Sequence, residues 1–173
     1  MAIPLTIVVD TASLPSGSGS TPGNPIQFGH DGAFMITDRV HCQGPNAVAD
    51  LRIKGAASGD SLQIWSSSLS SQFLDEVFLY DFAHLSGAQV LDVNGLRPQI
   101  FQEVANVPVA GGPSHQPPTF KTETRSYPCT EIDVTNGGGT EAFLVRFVVY
   151  SQAQDGGRKV KGYYQWDPSI TAV

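Results

Sequence analysis

The stretch AFLVRFVVY, residues 142–150, decides the fold of this 173-residue chain. It is apolar at odd and even positions alike, interrupted only by Arg146, which is typical of a strand in the middle of a sheet with both faces covered. The run EVFLYDF, residues 76–82, has the same character and predicts a second central strand. Neither run approaches the roughly 20 apolar residues of a membrane-spanning helix. The sequence therefore predicts a sheet core and no membrane span.

Shorter β-prone runs flank these two, separated by Gly, Pro, Asn and Ser at nearly regular spacing. In the first run Leu5, Ile7 and Val9 fall on one face of a strand, because side chains alternate along it. The other predicted strands are 33–40, 47–53, 61–66, 88–93 and 160–166. No helical periodicity competes with this pattern. We expect one all-β domain over residues 1–173, a two-sheet β-sandwich of jelly-roll type with about eight to ten strands.

Loops and turns separate the predicted strands. Residues 13–25 and 107–118 have little apolar content, so we expect two exposed loops, each crossing from one sheet to the other. Asn94-Gly95 is a strong hairpin signal after the strand 88–93, and residues 136–139 predict a second tight turn. These signals leave the strand order open.

The composition narrows the possible partners. Charged residues make up only 15% of the chain, against about 25% in an average globular protein. A surface covered instead by Ser, Thr, Asn, Gln and Gly associates readily. The net charge of −6 argues against a nucleic-acid partner, since phosphate binding needs a clustered basic face.

The N-terminus and the two cysteines indicate the cellular location of the protein. MAIPLTIVVD has no basic region and no small-residue cleavage site, so it predicts a first strand and a cytoplasmic location. Cys42 and Cys129 are too few for a disulfide framework or a metal knuckle. Two free thiols are expected in a reducing cytosol, and a single disulfide between them is the alternative.

The sequence contains the residues of a serine-hydrolase motif, but the predicted structure around them does not suit that chemistry. Gly59-Asp60-Ser61-Leu62 and Asp81-x-x-His84 are similar to the triad motifs of GDSL serine hydrolases. That chemistry needs the serine on a strand-to-helix turn beside an oxyanion hole, whereas Ser61 here begins an alternating strand. We expect a turn followed by a strand and no enzyme, with a serine esterase at Ser61 as a remote alternative.

No cofactor is predicted. His30, His41, His84 and His115 are dispersed and lack zinc-ligand spacing. Residues 92–95 resemble the start of a calcium-binding EF-hand loop but lack its remaining ligands. Calcium held by residues from separate loops stays an open alternative.

An aromatic and acidic cluster near the C-terminus is the candidate ligand site. Aromatic faces stack on sugar rings, and carboxylates or a bound calcium fix the hydroxyls. The candidate ligand-binding residues are Tyr163, Tyr164, Trp166 and Asp167, with Trp65 and Asp60 as additions. The competing interpretation places Tyr164 and Trp166 in the core, because they share one strand face. Tyr163 and Asp167 are the better candidates for exposure.

Three segments together resemble the AidA/PixA inclusion-body protein family. Residues 59–69 are similar to its "GD-x-I-x-W-x-x-x-S-L" stretch, and residues 76–82 to its "Y-S-V-I-L-Y-x-F" strand. Residues 162–170 (GYYQWDPSI) resemble its C-terminal "G-Y-x-x-W-D-P-x-I" signature, the most specific of the three. The likeness spans nearly the whole chain and departs from the pattern in the loops 13–25 and 107–118.

The resemblance implies a small cytoplasmic bacterial accessory protein rather than an enzyme. Members look quorum-sensing- or growth-phase-regulated, some accumulate as inclusion bodies, and some are linked to host association or virulence. No catalytic residue is assigned in the family. We therefore expect a self-associating homo-oligomer, a dimer or larger. A carbohydrate-binding module, with or without a requirement for calcium, is the alternative.

Overall fold

The computed structural model describes residues 1–69, 74–109, 120–153 and 156–173. Within these residues a 3-10 turn at His30–Gly32 is the only helical element. The rest of the regular structure is β. The strands are β1 (Ala2–Val9), β2 (Ile26–Gln27), β3 (Ala33–Thr37), β4 (Asp50–Ile53), β5 (Ser61–Ser68), β6 (Asp75–Gly87), β7 (Arg97–Pro108), β8 (Phe120–Asp133), β9 (Gly139–Gln152), β10 (Arg158–Trp166) and β11 (Ser169–Ala172).

The strands form two mixed sheets packed face to face, which confirms the two-sheet β-sandwich. One sheet has the order β3-β1-β5-β8-β7. The other has the order β2-β10-β9-β11-β4, with β6 paired to the free side of β9. Three parallel pairs, β1 with β5, β2 with β10 and β4 with β11, accompany the antiparallel ladders. The sheets stay open at their edges and do not close into a barrel.

The core lies between the sheets and is filled by the alternate residues of each strand. Leu5, Ile7 and Val9 of β1 are all buried, as their spacing predicted. On the other side β9 is the central strand, paired with β6, β10 and β11. Phe147 of β9 stacks on Tyr164 of β10, with the ring centroids 5.7 Å apart. The prediction of a central strand at 142–150 is confirmed.

The prediction of a second central strand at 76–82 is wrong. In the described part of the chain β6 pairs with β9 alone and is an edge strand. Its apolar content has a different cause, because its outward-facing rings contact rings of β9 and of β10, which lies beyond β9. Phe78 packs edge-on against Tyr150, and Tyr80 packs edge-on against Tyr163.

Two predicted strands are shorter than expected. The strand predicted at 33–40 ends at Thr37, because the Asp38 carboxylate accepts the His41 amide at 2.8 Å and closes a turn. The strand predicted at 47–53 begins only at Asp50. Ala47 has a positive φ of 62°, a conformation that interrupts an extended strand.

The predicted strand 88–93 is wrong. In this segment only Leu91 forms a β-bridge, to Val134. The amides of Val90 and Leu91 donate to the buried Glu141 carboxylate, each at 2.7 Å, instead of to a neighbouring strand. The Asn94-Gly95 signal is a tight turn closed from the Gly95 amide to the Asp92 carbonyl at 2.9 Å, but it joins no hairpin.

The two predicted crossing loops have different outcomes. Residues 13–25 do cross, since β1 and β2 lie in different sheets. The expectation for 107–118 is wrong, because β7 and β8 are neighbours in one sheet and β7 itself runs to Pro108. Residues 110–119, with His115, lie outside the described residues. The turn predicted at 136–139 lies between β8 and β9.

Candidate functional site

Two members of the predicted aromatic cluster belong to the core. Tyr164 and Trp166 have no exposed surface. The Tyr164 hydroxyl donates to the Pro15 carbonyl at 3.0 Å, and burial raises the pKa of this phenol. The Trp166 ring N–H donates to the His30 carbonyl at 3.1 Å. Neither ring presents a face to a ligand, so the core interpretation holds for both.

Two further members lie elsewhere. Trp65 is half-buried on β5, in the sheet opposite to β10. Asp60 binds the N-terminal amine at 2.5 Å and the Ala57 amide at 2.9 Å. The hydrogen bond from the N-terminal amine is the main cause that lowers the pKa of Asp60. The six predicted residues therefore do not form one site.

Tyr163 and Asp167 share the outer face of the second sheet with a chain of hydrogen-bonded polar side chains. The Gln27 amide donates to Asp167 at 3.3 Å, and the Gln165 amide donates to Gln27 at 3.0 Å. Arg146 continues the chain to Gln165 and ion-pairs with Asp81 on β6. We call this set the polar row: Asp167, Gln27, Gln165, Arg146 and Asp81.

An aromatic pair lies beside the polar row. The rings of Tyr80 and Tyr163 pack edge-on with their centroids 6.1 Å apart. The Tyr80 hydroxyl donates to the Pro22 carbonyl at 3.1 Å, and burial is the main cause that raises the pKa of this phenol. Rings beside amides, carboxylates and a guanidinium offer both stacking faces and hydrogen bonds.

The residues of the apparent hydrolase motif do not assemble. Ser61 begins β5 in the first sheet, whereas Asp81 and His84 lie on β6 in the second. Asp81 is paired with Arg146, and His84 binds Glu141 at 2.8 Å through Nδ1. No triad joins these three residues.

Glu141 is the one fully buried carboxylate among the described residues. It accepts the amides of Val90 and Leu91 and contacts His84, so its oxygens are satisfied. Its burial could not be predicted from the sequence, because a Glu in a strand is usually exposed. Its partners make it an anchor that holds the segment 88–91 against β9.

The described residues hold two free thiols and no cluster of metal ligands. No three His, Cys, Asp or Glu residues gather to hold a metal ion within the parts of the chain that the structure describes. Cys42 and Cys129 are both free thiols. Burial is the main cause that raises the pKa of the Cys129 thiol. Across the described residues no helix is long and apolar enough to span a membrane.

The most unusual feature is a projecting hairpin. β5 pairs with β8 only from Ser61 opposite Asp133 to Ile64 opposite Thr130. Beyond that point β7 and β8 pair only with each other in the part of the chain that the structure describes, as far as Pro108 opposite Phe120. We call residues 99–108 and 120–129 the arm. It extends the first sheet past the point where a third strand supports it.

The two faces of the arm differ in charge. In β8 the side chains of Thr130 and Ile132 point to the core side of the sheet. Because side chains alternate along a strand, the even-numbered residues of the arm lie on the same side, which we call the inner face. Three of its apolar side chains are largely exposed: Ile100 at 73%, Val104 at 72% and Phe120 at 54%. Every charged residue of the arm lies on the odd-numbered outer face: Glu103, Lys121, Glu123 and Arg125.

Two open spaces adjoin the arm. Where its inner face meets the β6 edge, cavities of about 360 and 260 Å³ share Ser66, Phe78 and Pro128; we call them the β6 cleft. On the outer face a cavity of about 430 Å³ is lined by Trp65, Phe101, Glu103 and Tyr127; we call it the aromatic cleft. The rings of Trp65 and Phe101 have centroids 6.3 Å apart and are tilted by 46°.

The fold and these surfaces define a two-sheet β-sandwich protein with a projecting hairpin and no assembled catalytic triad in its described residues. The chain belongs to the PixA inclusion body protein family, whose model matches residues 1–172. It is similar to the crystal structure of a PixA inclusion body protein from Burkholderia cenocepacia J2315, with a TM-score of 0.74 and 19% identity. That match covers 100% of this chain and 96% of the other. No curated protein matches the chain.

Proposed function

We propose that this PixA-family protein is a non-enzymatic accessory protein that self-associates in its folded state. The observation that carries the proposal is the inner face of the arm. It continues the core-facing side of the first sheet, yet Ile100 and Val104 are exposed because the second sheet, as far as the structure describes it, ends at β6. Large apolar side chains exposed on one open face are typical of an interaction surface.

The charge pattern favours a second copy of the chain as the occupant. The chain carries a net charge of −6, so two copies repel each other over most approaches. The inner face has no charged residue and meets its own counterpart without repulsion. A two-fold contact requires such a self-complementary surface.

The available area decides how the copies pack. Ten residues of strand span about 33 Å, and two strands are about 10 Å wide, so one face of the arm covers about 330 Å². Two arms packed only on each other would bury about 700 Å², which is below the 1,200–2,000 Å² of a stable interface. A stable dimer therefore needs contacts beyond the two inner faces, and contacts at the β6 cleft of each partner would have to bury at least about 500 Å² more.

The arm also needs support. A two-stranded hairpin is marginal in water by itself, and among the described residues this one has unpaired strand edges on both sides. Open edges are ready to pair with another chain. Packing against a second copy supplies the missing layer, and further edge contacts would build larger assemblies. The host-associated role that the resemblance implies would belong to the assembled protein.

Light scattering after size-exclusion chromatography tests self-association directly. We expect the purified full chain to move from monomer to dimer as its concentration rises. Sugars and chelators should leave that equilibrium unchanged, because no metal-holding cluster forms among the described residues and the polar row lies in the other sheet. A strict monomer at high concentration contradicts the proposal.

Carbohydrate binding is the second candidate, favoured by the polar row beside Tyr80 and Tyr163. A glycan array with and without calcium tests it, using the parent, Tyr163→Ala and Asp167→Ala. Selective binding that both variants lose, while their circular dichroism is unchanged, supports a lectin site. Absence of binding in both conditions contradicts it and leaves self-association as the single proposal.

A further inference from the structure

We propose that the aromatic cleft binds an organic cation with a methylated ammonium group. The cleft lies on the outer face of the first sheet, at the root of the arm, away from the inner face that carries self-association. It is therefore a site separate from the proposed function. Three strands contribute to it, with Trp65 on β5, Tyr127 on β8 and Phe101 on β7.

The pairing register of β5, β8 and β7 brings the three aromatic rings together. β8 lies between β5 and β7, and Phe101 is directly opposite Tyr127 in the β7–β8 ladder. Trp65 follows Ile64, the last residue of β5 that pairs with β8. The 46° tilt between Trp65 and Phe101 makes the pair an open wedge rather than a closed stack. A rounded group of a few atoms can enter such a wedge and contact more than one ring.

Glu103 supplies the charge that selects a cation. It is exposed on the rim of the cleft, two residues from Phe101 on the same side of β7. Arg125 is opposite Glu103 in the ladder, but no ion pair joins them among the described residues. An ammonium ion over aromatic faces is attracted by the ring quadrupoles, and a nearby carboxylate adds a direct Coulomb attraction.

The lining argues against the other ligand classes. A saccharide needs several hydrogen-bonding side chains, whereas the cleft has one carboxylate, one phenol and one indole N–H. Calcium needs about six to eight oxygen ligands, which three aromatic residues do not provide. A methylated ammonium needs only ring faces and one negative charge, and it loses little hydration on entering.

Choline and its neutral isostere 3,3-dimethylbutan-1-ol are the matched probes. The two have the same shape and hydroxyl, and only choline carries the charge. Saturation-transfer NMR on the methyl protons measures each probe against the full-length protein. We expect choline to give a saturable signal at millimolar concentration, and the isostere to bind about ten-fold more weakly or worse.

Variants separate the cleft from the rest of the arm. Glu103→Gln and Phe101→Leu should each weaken choline binding about ten-fold. Glu123→Gln is the matched control, because this glutamate lies on the same outer face but pairs with Lys121 and does not line the cleft. Circular dichroism checks that each variant is folded.

Trp65 offers a second readout that does not depend on any variant. Of the two tryptophans, Trp166 is fully buried, so a fluorescence change on adding choline reports Trp65. Equal binding of the isostere, displacement of choline by methyl glycosides, no choline signal, or an unchanged affinity in Glu103→Gln would each overturn the proposal.

Discussion

The body of the sandwich and the arm share the strands β7 and β8 but have different physical support. In the body each inward side chain meets a second sheet, and residues such as Ile132 are fully buried. In the arm the same strands continue with the same pairing, yet Ile100 and Val104 on the inward side are exposed. Strand pairing thus determines how far the first sheet extends, while the extent of the second sheet determines which of its inward side chains are buried. We propose that a second copy of the chain supplies the layer that the inner face of the arm lacks.

The largest contrast is expected from removing one ring in each region. Trp166→Ala deletes a fully buried ring and the hydrogen bond to His30, so the free energy of unfolding should fall by about 3–5 kcal/mol. Phe101→Ala removes a ring on the arm that contacts Trp65 and should cost about 1 kcal/mol. Urea denaturation of both variants measures the difference. Equal losses would break the distinction between body and arm.

The anchor at Glu141 comes next. Glu141→Ala leaves the amides of Val90 and Leu91 buried without an acceptor, which should lower the free energy of unfolding by about 3 kcal/mol. His84→Ala is the control, because it removes a partly exposed side chain and leaves both amides satisfied. The same denaturation experiment measures both. A larger loss of unfolding free energy in His84→Ala than in Glu141→Ala would show that Glu141 does not stabilise the protein through the two amides.

The smallest effect concerns the ion pair at the root of the arm. Arg97 begins β7 and binds Asp133 at the end of β8, at 2.5 Å. That hydrogen bond lowers the pKa of Asp133 below its usual 3.8. Because the folded-state pKa is depressed, this stabilisation is present above pH 3.8 and is lost as the pH falls through the folded value.

We therefore expect Asp133→Asn to make the decline of the melting temperature below pH 3.8 shallower than in the parent. Asp31→Asn, an equal change of charge on the exposed 3-10 turn, should leave the decline as it is. Thermal melts at a series of acidic pH values measure both. An unchanged slope in Asp133→Asn would mean that the ion pair does not secure the root of the arm.

The body was predictable from the sequence because burial leaves a pattern. Residues 142–150 indicated a central strand, and the alternation of Leu5, Ile7 and Val9 indicated an inward face. The arm was missed because both of its faces are open, so neither strand shows apolar alternation. The one available signal is the alternation of small hydroxyl and charged residues in KTETRS, residues 121–126.

The candidate sites were predictable only in part. Tyr163 and Asp167 lie on an outer sheet face as expected for exposed residues, and burial takes Tyr164 and Trp166 into the core. The sequence could not reveal that Trp65 lies in the other sheet. Nor could it bring Trp65 together with Phe101 and Tyr127, because that contact depends on the pairing order β5-β8-β7.

The central claim is that the inner face of the arm joins two copies of the chain. Val104→Glu and Val107→Glu test it with the same change on the same strand. Val104 points to the inner face, whereas Val107 is on the outer face opposite Lys121. Sedimentation velocity of the parent and both variants at one concentration is the measurement. The account predicts a monomer for Val104→Glu and a dimer for the parent and Val107→Glu; a dimer that survives Val104→Glu would contradict it.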